Sequence, residues 1–242
     1  MNFYNLTTDY DGTLAEDGVV AESTIKALES LRRSGRSIIL ITGRELAQLL
    51  EIFDRTDLFD WIVAENGALL YHPATRRKHL LTEPASLHFV EELQKRGVSP
   101  ISIGEAIVAT WRPHQNTVLE VIRELGLERQ ITYNKEAVMV LPNGIDKASG
   151  LDAVLEEMKL SSKNVVGIGD AENDLAFLNK CQFSVAVSNA LDSVKANVDF
   201  TTRSPRGEGV VELINEILKD DLQLRCSRVR ERRIQIPSNT RS

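Results

Sequence analysis

The stretch Asp9-Tyr10-Asp11-Gly12-Thr13-Leu14 directly follows a short apolar pattern over residues 3–8. A pattern of this kind predicts a buried strand that ends in a tight loop. Two carboxylates two residues apart on such a loop suit a nucleophile beside a proton donor, and a carboxylate that attacks phosphorus splits a difficult displacement into two easier ones. An Asp-Gly pair is also common in ordinary surface turns, so this stretch alone leaves both interpretations open.

Around this loop the chain alternates between strand and helix patterns. The predicted strands cover 3–8, 37–42, 61–64, 164–168 and 183–187, and the predicted helices cover 21–34, 45–53, 147–159, 172–179 and 210–218. Strands that alternate with helices indicate a parallel sheet with right-handed crossovers. The sequence therefore predicts an α/β fold, a doubly wound parallel-sheet core of the Rossmann type.

The alternation is interrupted in the middle of the chain. Between residues 68 and 142 the pattern changes to paired strands and two helices, which predicts a mixed α+β insert. The predicted domains are a discontinuous core over 1–67 and 143–221, an α+β cap over 68–142, and a basic tail or linker over 222–242.

Three more polar clusters follow predicted core strands or begin core helices. Thr42-Gly43-Arg44 closes a strand, Lys147 begins a helix, and Gly169-Asp170-Ala171-Glu172-Asn173-Asp174 closes another strand. A hydroxyl and backbone N–H groups at a helix start can hold phosphate, an ammonium can neutralise it, and clustered carboxylates suit Mg²⁺. Each cluster alone also fits a helix start, a solvated lysine or an acidic first turn. Open α/β sheets bind ligands at the ends of these strands.

Composition limits the class of protein. Of 242 residues, 42% are hydrophobic and 26% are charged, which excludes a disordered or collagen-like chain. Two cysteines and four scattered histidines provide neither a disulfide framework nor a zinc site. The apolar runs are too short for a membrane span, and the first residues lack a secretory pattern. A cytoplasmic protein with no membrane partner is therefore expected.

Charge is distributed unevenly along the chain. The net charge is −6, and residues 222–242 hold six arginines and one acid, so that segment carries +5 and the preceding 221 residues carry −11. An acidic body disfavours nucleic-acid binding, and none is expected for the core. The tail is predicted to be disordered, to bind a partner, or to connect to an attached domain beyond Ser242. The strand pattern at Ile234-Gln235-Ile236 favours the attached domain.

The order of the four clusters resembles the haloacid dehalogenase (HAD) superfamily of phosphohydrolases. The series DxDGT, TGR, Lys and GDxxND occurs in that order, and the insert between the second and third members resembles a small C2-type cap of the Cof-like, or IIB, subgroup. Asn66-Gly67 and the segment 185–190 also match Cof-like proteins. The resemblance covers about residues 3–218.

The resemblance implies a role for each motif residue. Asp9 would be the nucleophile, and Asp11 would protonate the leaving alcohol and then activate water, with Lys147 as the third catalytic residue. Thr42, Gly43, Lys147 and Asn173 would bind the substrate phosphate. Asp9, Asp11, Asp170 and Asp174 would hold Mg²⁺, Asp11 through its backbone carbonyl. The implied function is a Mg²⁺-dependent phosphatase of small phosphate esters, with an aspartyl-phosphate intermediate.

Substrate and subgroup stay open at this stage. The DxDGT segment is similar to trehalose-phosphate phosphatases, phosphomannomutases share the cap type, and the short cap resembles archaeal phosphoglycolate phosphatase-like proteins. The alternatives to a phosphatase of sugar phosphates or phosphoglycolate-like esters are a phosphomutase and a phosphometabolite-sensing module of a larger polypeptide. Specificity is expected from the cap, where Arg112 and His114 are the main candidates, beside Trp111, Asn134 and Lys135. Each of these could instead be solvated, cap a helix or fill the cap core.

Overall fold

The computed structural model describes residues 3–223 and Arg225. The strands are β1 (Asn5–Asp9), β2 (Ser37–Ile41), β3 (Trp61–Ala64), β4 (Leu69–His72), β5 (Arg77–Leu80), β6 (Ser102–Ile103), β7 (Val108–Trp111), β8 (Arg129–Asn134), β9 (Ala137–Pro142), β10 (Val165–Gly169), β11 (Phe183–Ala186) and β12 (Phe200–Thr201). The helices are α1 (Glu22–Arg33), α2 (Leu46–Ile52), α3 (Leu87–Lys95), α4 (Gln115–Glu124), α5 (Lys147–Glu157), α6 (Leu175–Leu178), α7 (Asp192–Lys195) and α8 (Arg206–Asp220).

Eight strands form the core sheet in the order β12-β11-β10-β1-β2-β3-β4-β5. The first six of these run parallel to one another. β1 lies between β2 and β10, where the strand order changes direction, and ligands bind outside the carboxyl ends of the strands at such a point. β1 and β10 are buried along their whole length, as expected for central strands covered by helices on both faces. The predicted α/β fold class is confirmed.

The other end of the core sheet is an antiparallel hairpin. β4 pairs antiparallel with β3 and β5 pairs antiparallel with β4, so both strands of the segment 69–80 belong to the core sheet. The range 68–142, which the sequence analysis predicts for the cap, includes these two strands. β4 joins the core because Leu69 and Leu70 are buried against it, whereas the edge strand β5 exposes Arg77 and Lys78. Charged side chains on an edge strand oppose pairing with another chain.

A second sheet lies within the inserted segment. Its order is β6-β7-β9-β8, and all its pairs are antiparallel. The residues of its own hydrophobic core come from α3, the loop that follows it, α4 and the sheet: Phe89, Val90, Leu93, Val98, Val108, Val118, Val121, Ile122 and Val140. The insert therefore has apolar packing separate from that of the core sheet.

A small apolar cluster joins the core to the insert, at the place where the chain leaves the core and returns to it. It consists of Ala68, Ala106, Ile107 and Leu141, with Leu80 and Ile145 packed against them. We call these six residues the junction cluster. Leu80 and Ile145 flank the inserted segment in sequence, so its two connections lie side by side.

The end of the described chain rests on the core. Both Nε and Nη2 of Arg225 donate to the Glu216 carboxylate, at 2.6 and 2.5 Å, and the guanidinium lies 3.9 Å from the centroid of the Phe200 ring. The rest of the predicted tail, including the strand pattern 234–236, lies outside the described residues. Within the described part of the chain, no helix is long and apolar enough to span a lipid bilayer.

Candidate active site

Lys147 links two buried carboxylates at the carboxyl edge of the sheet. Its Nζ donates to Oδ1 of Asp9 at the end of β1 and to Oδ1 of Asp174, both at 2.6 Å. Asp146 caps α5 by accepting from the backbone N–H of Ser149 at 2.8 Å, which fixes Lys147 at the first position of the helix. The lysine side chain is 1% exposed, so this interaction takes place away from bulk water.

The loop after β10 holds Asp174 in one orientation. Its Oδ2 accepts hydrogen bonds from the backbone N–H groups of Asp170, at 2.8 Å, and Ala171, at 3.0 Å. The backbone packs tightly around these carboxylates. A Cβ at Gly12, where φ is +83°, would lie 2.5 Å from Oδ2 of Asp170, and a Cβ at Gly169 would lie 2.7 Å from Oδ2 of Asp174. Glycine at both positions therefore lets the loops approach the carboxylates.

Burial sets the protonation behaviour of the cluster. Desolvation, followed by the negative charge of Asp174, raises the pKa of Asp9 well above its ordinary value and raises the pKa of Asp170 in the same direction. Burial alone would lower the pKa of the Lys147 ammonium, but the Asp174 and Asp9 carboxylates together raise it above its usual range. The lysine is therefore positively charged, and further positive charge would stabilise the ionised carboxylates.

The carboxylates of Asp9, Asp170 and Asp174 fit a divalent cation. One ligand oxygen from each lies within 4.8 Å of the others, and all three residues are buried. The Asn173 Oδ1 atom is also buried and has no hydrogen-bond partner among the described residues. Three carboxylates face two ammonium groups, the buried Lys147 and the half-exposed Lys135, so one negative charge remains uncompensated. Oxygen donors with excess negative charge are what Mg²⁺ binds.

The predicted phosphate-binding residues lie beside this cluster. The Thr42 hydroxyl oxygen accepts from the backbone N–H of Arg44 at 3.1 Å, and Thr42 is buried. Asn173 donates through Nδ2 to Oδ1 of Asn66 at 3.0 Å, and a Cβ at Gly43 would approach the same Asn66 oxygen to 3.4 Å. The amide proton donors of Asn173 thus face Asn66, while its free oxygen suits a cation better than a phosphate.

Arg44 forms hydrogen bonds with Asp11, the predicted general acid. The sequence analysis did not assign this contact to Arg44. Its Nε donates to Oδ2 of Asp11 at 2.6 Å and its Nη2 donates to Oδ1 at 2.7 Å. Its guanidinium also lies 5.8 Å from the centroid of the Tyr10 ring. The motif Thr42-Gly43-Arg44 contained an indication of this contact, because an arginine side chain is suited to bind both oxygens of one carboxylate.

Glu65 is a second residue that the sequence analysis missed. It is 1% exposed, and its carboxylate accepts from the backbone N–H groups of residues 105, 106 and 107, at 2.9, 2.8 and 3.2 Å. The side chain thereby ties the core strand end to the inserted domain. The Asn66-Gly67 pair marks this turn in the sequence, but nothing local shows that the preceding glutamate binds a distant loop.

A cavity of about 580 Å³ opens above the carboxylates, between the core and the second sheet. The lining residues are Asp9, Asp11, Gly43, Arg44, Glu45, Gln48, Pro100, Ile101, Ser102, Ile107, Ala109, Thr110, Trp111, Asn134, Lys135, Ala137 and Met139. Trp111, Asn134 and Lys135, which the sequence analysis considered, are among them. Lys135 donates from Nζ to Oδ2 of Asp170 at 3.0 Å across the gap between the layers.

Arg112 and His114, the main specificity candidates from the sequence, are not among the residues that line this cavity. Arg112 stacks over the Tyr133 ring, 4.9 Å from its centroid, and the His114 Nε2 atom lies 3.0 Å from the Ser99 carbonyl oxygen. The chain turns after Trp111 at the end of β7, so the side chains that follow pack against the insert itself. The structure therefore does not bring either side chain to this cavity, and their role in specificity stays a prediction.

The sequence and the fold have recognisable relatives. A family model described as haloacid dehalogenase-like hydrolase matches residues 6–117 and 114–214. A phosphoglycolate phosphatase of Methanothermobacter thermautotrophicus is 28% identical over 219 residues, covering 88% of this chain and 98% of that protein. These matches extend over most of the chain, which is therefore a hydrolase.

Two solved structures share the fold. A protein of Thermoplasma acidophilum superposes with a TM-score of 0.79 at 19% identity, covering 90% of this chain and 99% of the other. A HAD subclass IIB sugar phosphatase superposes with a TM-score of 0.72 at 21% identity, covering 88% and 98%.

The chain belongs to the haloacid dehalogenase-like hydrolase family. The resemblance predicted from the four motifs is confirmed, and so is the enzyme class, a phosphatase.

Proposed function

We propose that the protein is a Mg²⁺-dependent phosphatase that hydrolyses small phosphorylated metabolites in the cytoplasm through an aspartyl-phosphate intermediate. Its substrate is a sugar phosphate or a phosphoglycolate-like ester. The observation that carries the proposal is the buried contact of Lys147 with Asp9 at 2.6 Å, beside Asp170 and Asp174. Phosphatase relatives such as the phosphoglycolate phosphatase of M. thermautotrophicus support the same activity.

In the proposed reaction Asp9 attacks the phosphorus atom of the bound ester. A carboxylate oxygen of Asp9 forms the new P–O bond while the bond from phosphorus to the leaving alcohol breaks, and Asp11 donates a proton to that alcohol. Asp11 then takes a proton from water, which attacks the aspartyl phosphate and releases inorganic phosphate and free Asp9. Two carboxylates on the loop after β1 thus serve both half-reactions.

Lys147 and Thr42 stabilise the phosphoryl group during transfer. The ammonium of Lys147 offsets negative charge on the phosphoryl oxygens, and the hydroxyl of Thr42 and the backbone at Gly43 provide hydrogen-bond donors. Asp9, Asp170 and Asp174 would hold Mg²⁺, with the Asp11 carbonyl and Asn173 in support. When bound, the ion neutralises charge on the phosphate and orients it for attack.

The first experiment measures phosphate release from phosphoglycolate, a panel of sugar phosphates and p-nitrophenyl phosphate, with Mg²⁺ or with a chelator. We expect release that requires Mg²⁺ and is lost in Asp9→Asn. The matched control is Asp54→Asn, which changes an exposed carboxylate by the same atoms and should retain wild-type turnover. Mg²⁺-dependent activity in Asp9→Asn would contradict the nucleophile assignment.

Two other outcomes separate the remaining functions. Interconversion of sugar-phosphate isomers with a bisphosphate activator and little net hydrolysis would identify a phosphomutase. Binding of a phosphometabolite without release of phosphate would identify a sensing module.

A further inference from the structure

Two cations line the cavity among the described residues, and they differ in how firmly they are held. The Arg44 guanidinium is bound through two nitrogens to Asp11. The Lys135 ammonium makes a single hydrogen bond, to Oδ2 of Asp170, and its side chain is 52% exposed. The ammonium itself remains hydrated as it moves, but Asp170 is 1% exposed, so Lys135 changes partners at low cost only where another cation takes its place at Asp170.

Lys135 is placed where the inserted domain meets the reaction centre. It occupies the turn between β8 and β9, with φ at +53°, and reaches Asp170, which lies beside Asp9 in the carboxylate cluster. Asp170 is also one of the residues proposed above to hold Mg²⁺. A cation bound there would compete with Lys135 for the carboxylate and would repel the ammonium toward the cavity.

The rest of the cavity wall offers little positive charge. The second sheet contributes uncharged side chains, such as Ala109 and Met139, and Ile107 precedes β7. Glu45 on the core side accepts a hydrogen bond from Ser102. These groups offer no positive charge to an acidic group of the substrate. Such a group next to the phosphate would therefore find its counter-charge at Lys135.

We propose that Lys135 is a specificity-determining residue that binds a carboxylate on the substrate, so that the enzyme prefers small phosphorylated acids to neutral phosphate esters. This inference rests on the proposed phosphatase function and refines it. It places at Lys135 a specificity role for which the sequence analysis named Arg112 and His114 as the main candidates.

The test compares 2-phosphoglycolate with its neutral amide, 2-phosphoglycolamide, which has nearly the same shape but no carboxylate charge. Since charge-assisted hydrogen bonds are the strong ones, Lys135→Met should lower kcat/KM for 2-phosphoglycolate by about 10- to 100-fold, mainly through KM. The amide should change by less than about threefold, since the phosphate contacts are retained. Lys135→Arg should recover part of the loss, and Arg112→Met should leave both substrates unchanged.

A binding measurement gives the same comparison without turnover. In the Asp9→Asn background, calorimetry should show that Lys135→Met weakens the binding of 2-phosphoglycolate but not that of inorganic phosphate. Equal losses for the acid and the amide would overturn the role of Lys135, and a selective loss in Arg112→Met would assign the carboxylate to that residue. Wild-type protein that releases phosphate from neither ester would overturn the phosphatase proposal, and this inference with it.

Discussion

Arg44 donates hydrogen bonds to both carboxylate oxygens of Asp11, from Nε to Oδ2 at 2.6 Å and from Nη2 to Oδ1 at 2.7 Å. The planar guanidinium fixes the carboxylate plane, whereas a lysine ammonium could bond the oxygens only as a point charge. Arg44 is therefore a positioning residue for the carboxylate of Asp11.

Arg44→Lys should lower kcat by about 10- to 100-fold, because a small misplacement of a catalytic group has effects of that size. KM for p-nitrophenyl phosphate should change less than kcat. The matched control is Arg55→Lys, since Arg55 also bonds both oxygens of a carboxylate, that of Asp57, but does not line the cavity. An unchanged kcat in Arg44→Lys would show that Asp11 does not need this partner.

Asp11→Asn should distinguish esters by their leaving groups. Removal of a general acid typically costs about 10²- to 10⁴-fold, and an alkyl phosphate should lose rate in this range because its alcohol must be protonated. p-Nitrophenyl phosphate should lose much less in its first step, because p-nitrophenolate leaves without a proton. Rapid-mixing measurement of the p-nitrophenolate burst tests this difference. Equal losses for the two esters would argue against proton donation by Asp11.

Mg²⁺ should stabilise the fold through the carboxylates of Asp9, Asp170 and Asp174. At a Mg²⁺ concentration 100 times its Kd, binding adds about 2.7 kcal/mol to the free energy of unfolding. In Asp170→Asn the Mg²⁺-dependent rise in Tm should be lost, while the Tm with a chelator should equal or exceed that of the wild type because one of three clustered negative charges is gone. If Mg²⁺ raised the Tm of Asp170→Asn as much as that of the wild type, Asp170 would not be a ligand of the metal.

Glu65→Gln tests the tie between the core and the insert. The Glu65 carboxylate accepts hydrogen bonds from three backbone N–H groups. In the glutamine variant an NH2 group would replace one of the accepting oxygens and would face these donors. We expect the free energy of unfolding to fall by about 1–3 kcal/mol, which lowers Tm by several degrees. Glu83→Gln, at an exposed position, should leave Tm unchanged. Equal Tm values for the two variants would show that the Glu65 charge is not needed.

Cys181 should be unreactive in the folded protein. Burial raises the pKa of its thiol, and Sγ donates to the Phe177 carbonyl oxygen at 3.3 Å. Because the thiolate is the reactive form, native Cys181 at pH 8 should react with a disulfide reagent about 10-fold or more slowly than the unfolded chain. Raising the pH from 7 to 9 should accelerate the native reaction by about 100-fold, against about 25-fold for a free thiol with a pKa near 8.5, because the free thiol is already largely ionised at pH 9. The assay uses Cys226→Ser to leave one cysteine.

The core could be predicted closely because its strands have a simple local signature. Parallel strands buried on both faces are continuous apolar runs, so the predicted strand 37–42 nearly coincides with β2 and the predicted strand 164–168 with β10. The motif residues Asp9, Lys147, Asp170 and Asp174 are brought together because each follows a core strand or begins a core helix. Their catalytic roles stay predictions.

What the sequence could not supply was the choice of distant partners. The hairpin of β4 and β5 was visible from its pattern, but local periodicity does not reveal which sheet a hairpin joins. The same limit applies to Arg112, since the path of the chain after β7 decides whether its side chain meets the cavity or Tyr133. Glu65 and Arg44 were missed because their partners lie 40 and 33 residues away.

The junction cluster gives the enzyme a modular construction. The two connections of the insert meet on the same few apolar side chains, including Leu80 and Ile145. The insert is therefore attached to the core at one place, as a short loop would be. A different insert that preserves this base could be exchanged in evolution or in the laboratory without disturbing the carboxylate loops. Substrate preference can thus change with the insert while the core chemistry is kept, provided that a transplanted insert satisfies Glu65 and the contact that Lys135 makes with Asp170.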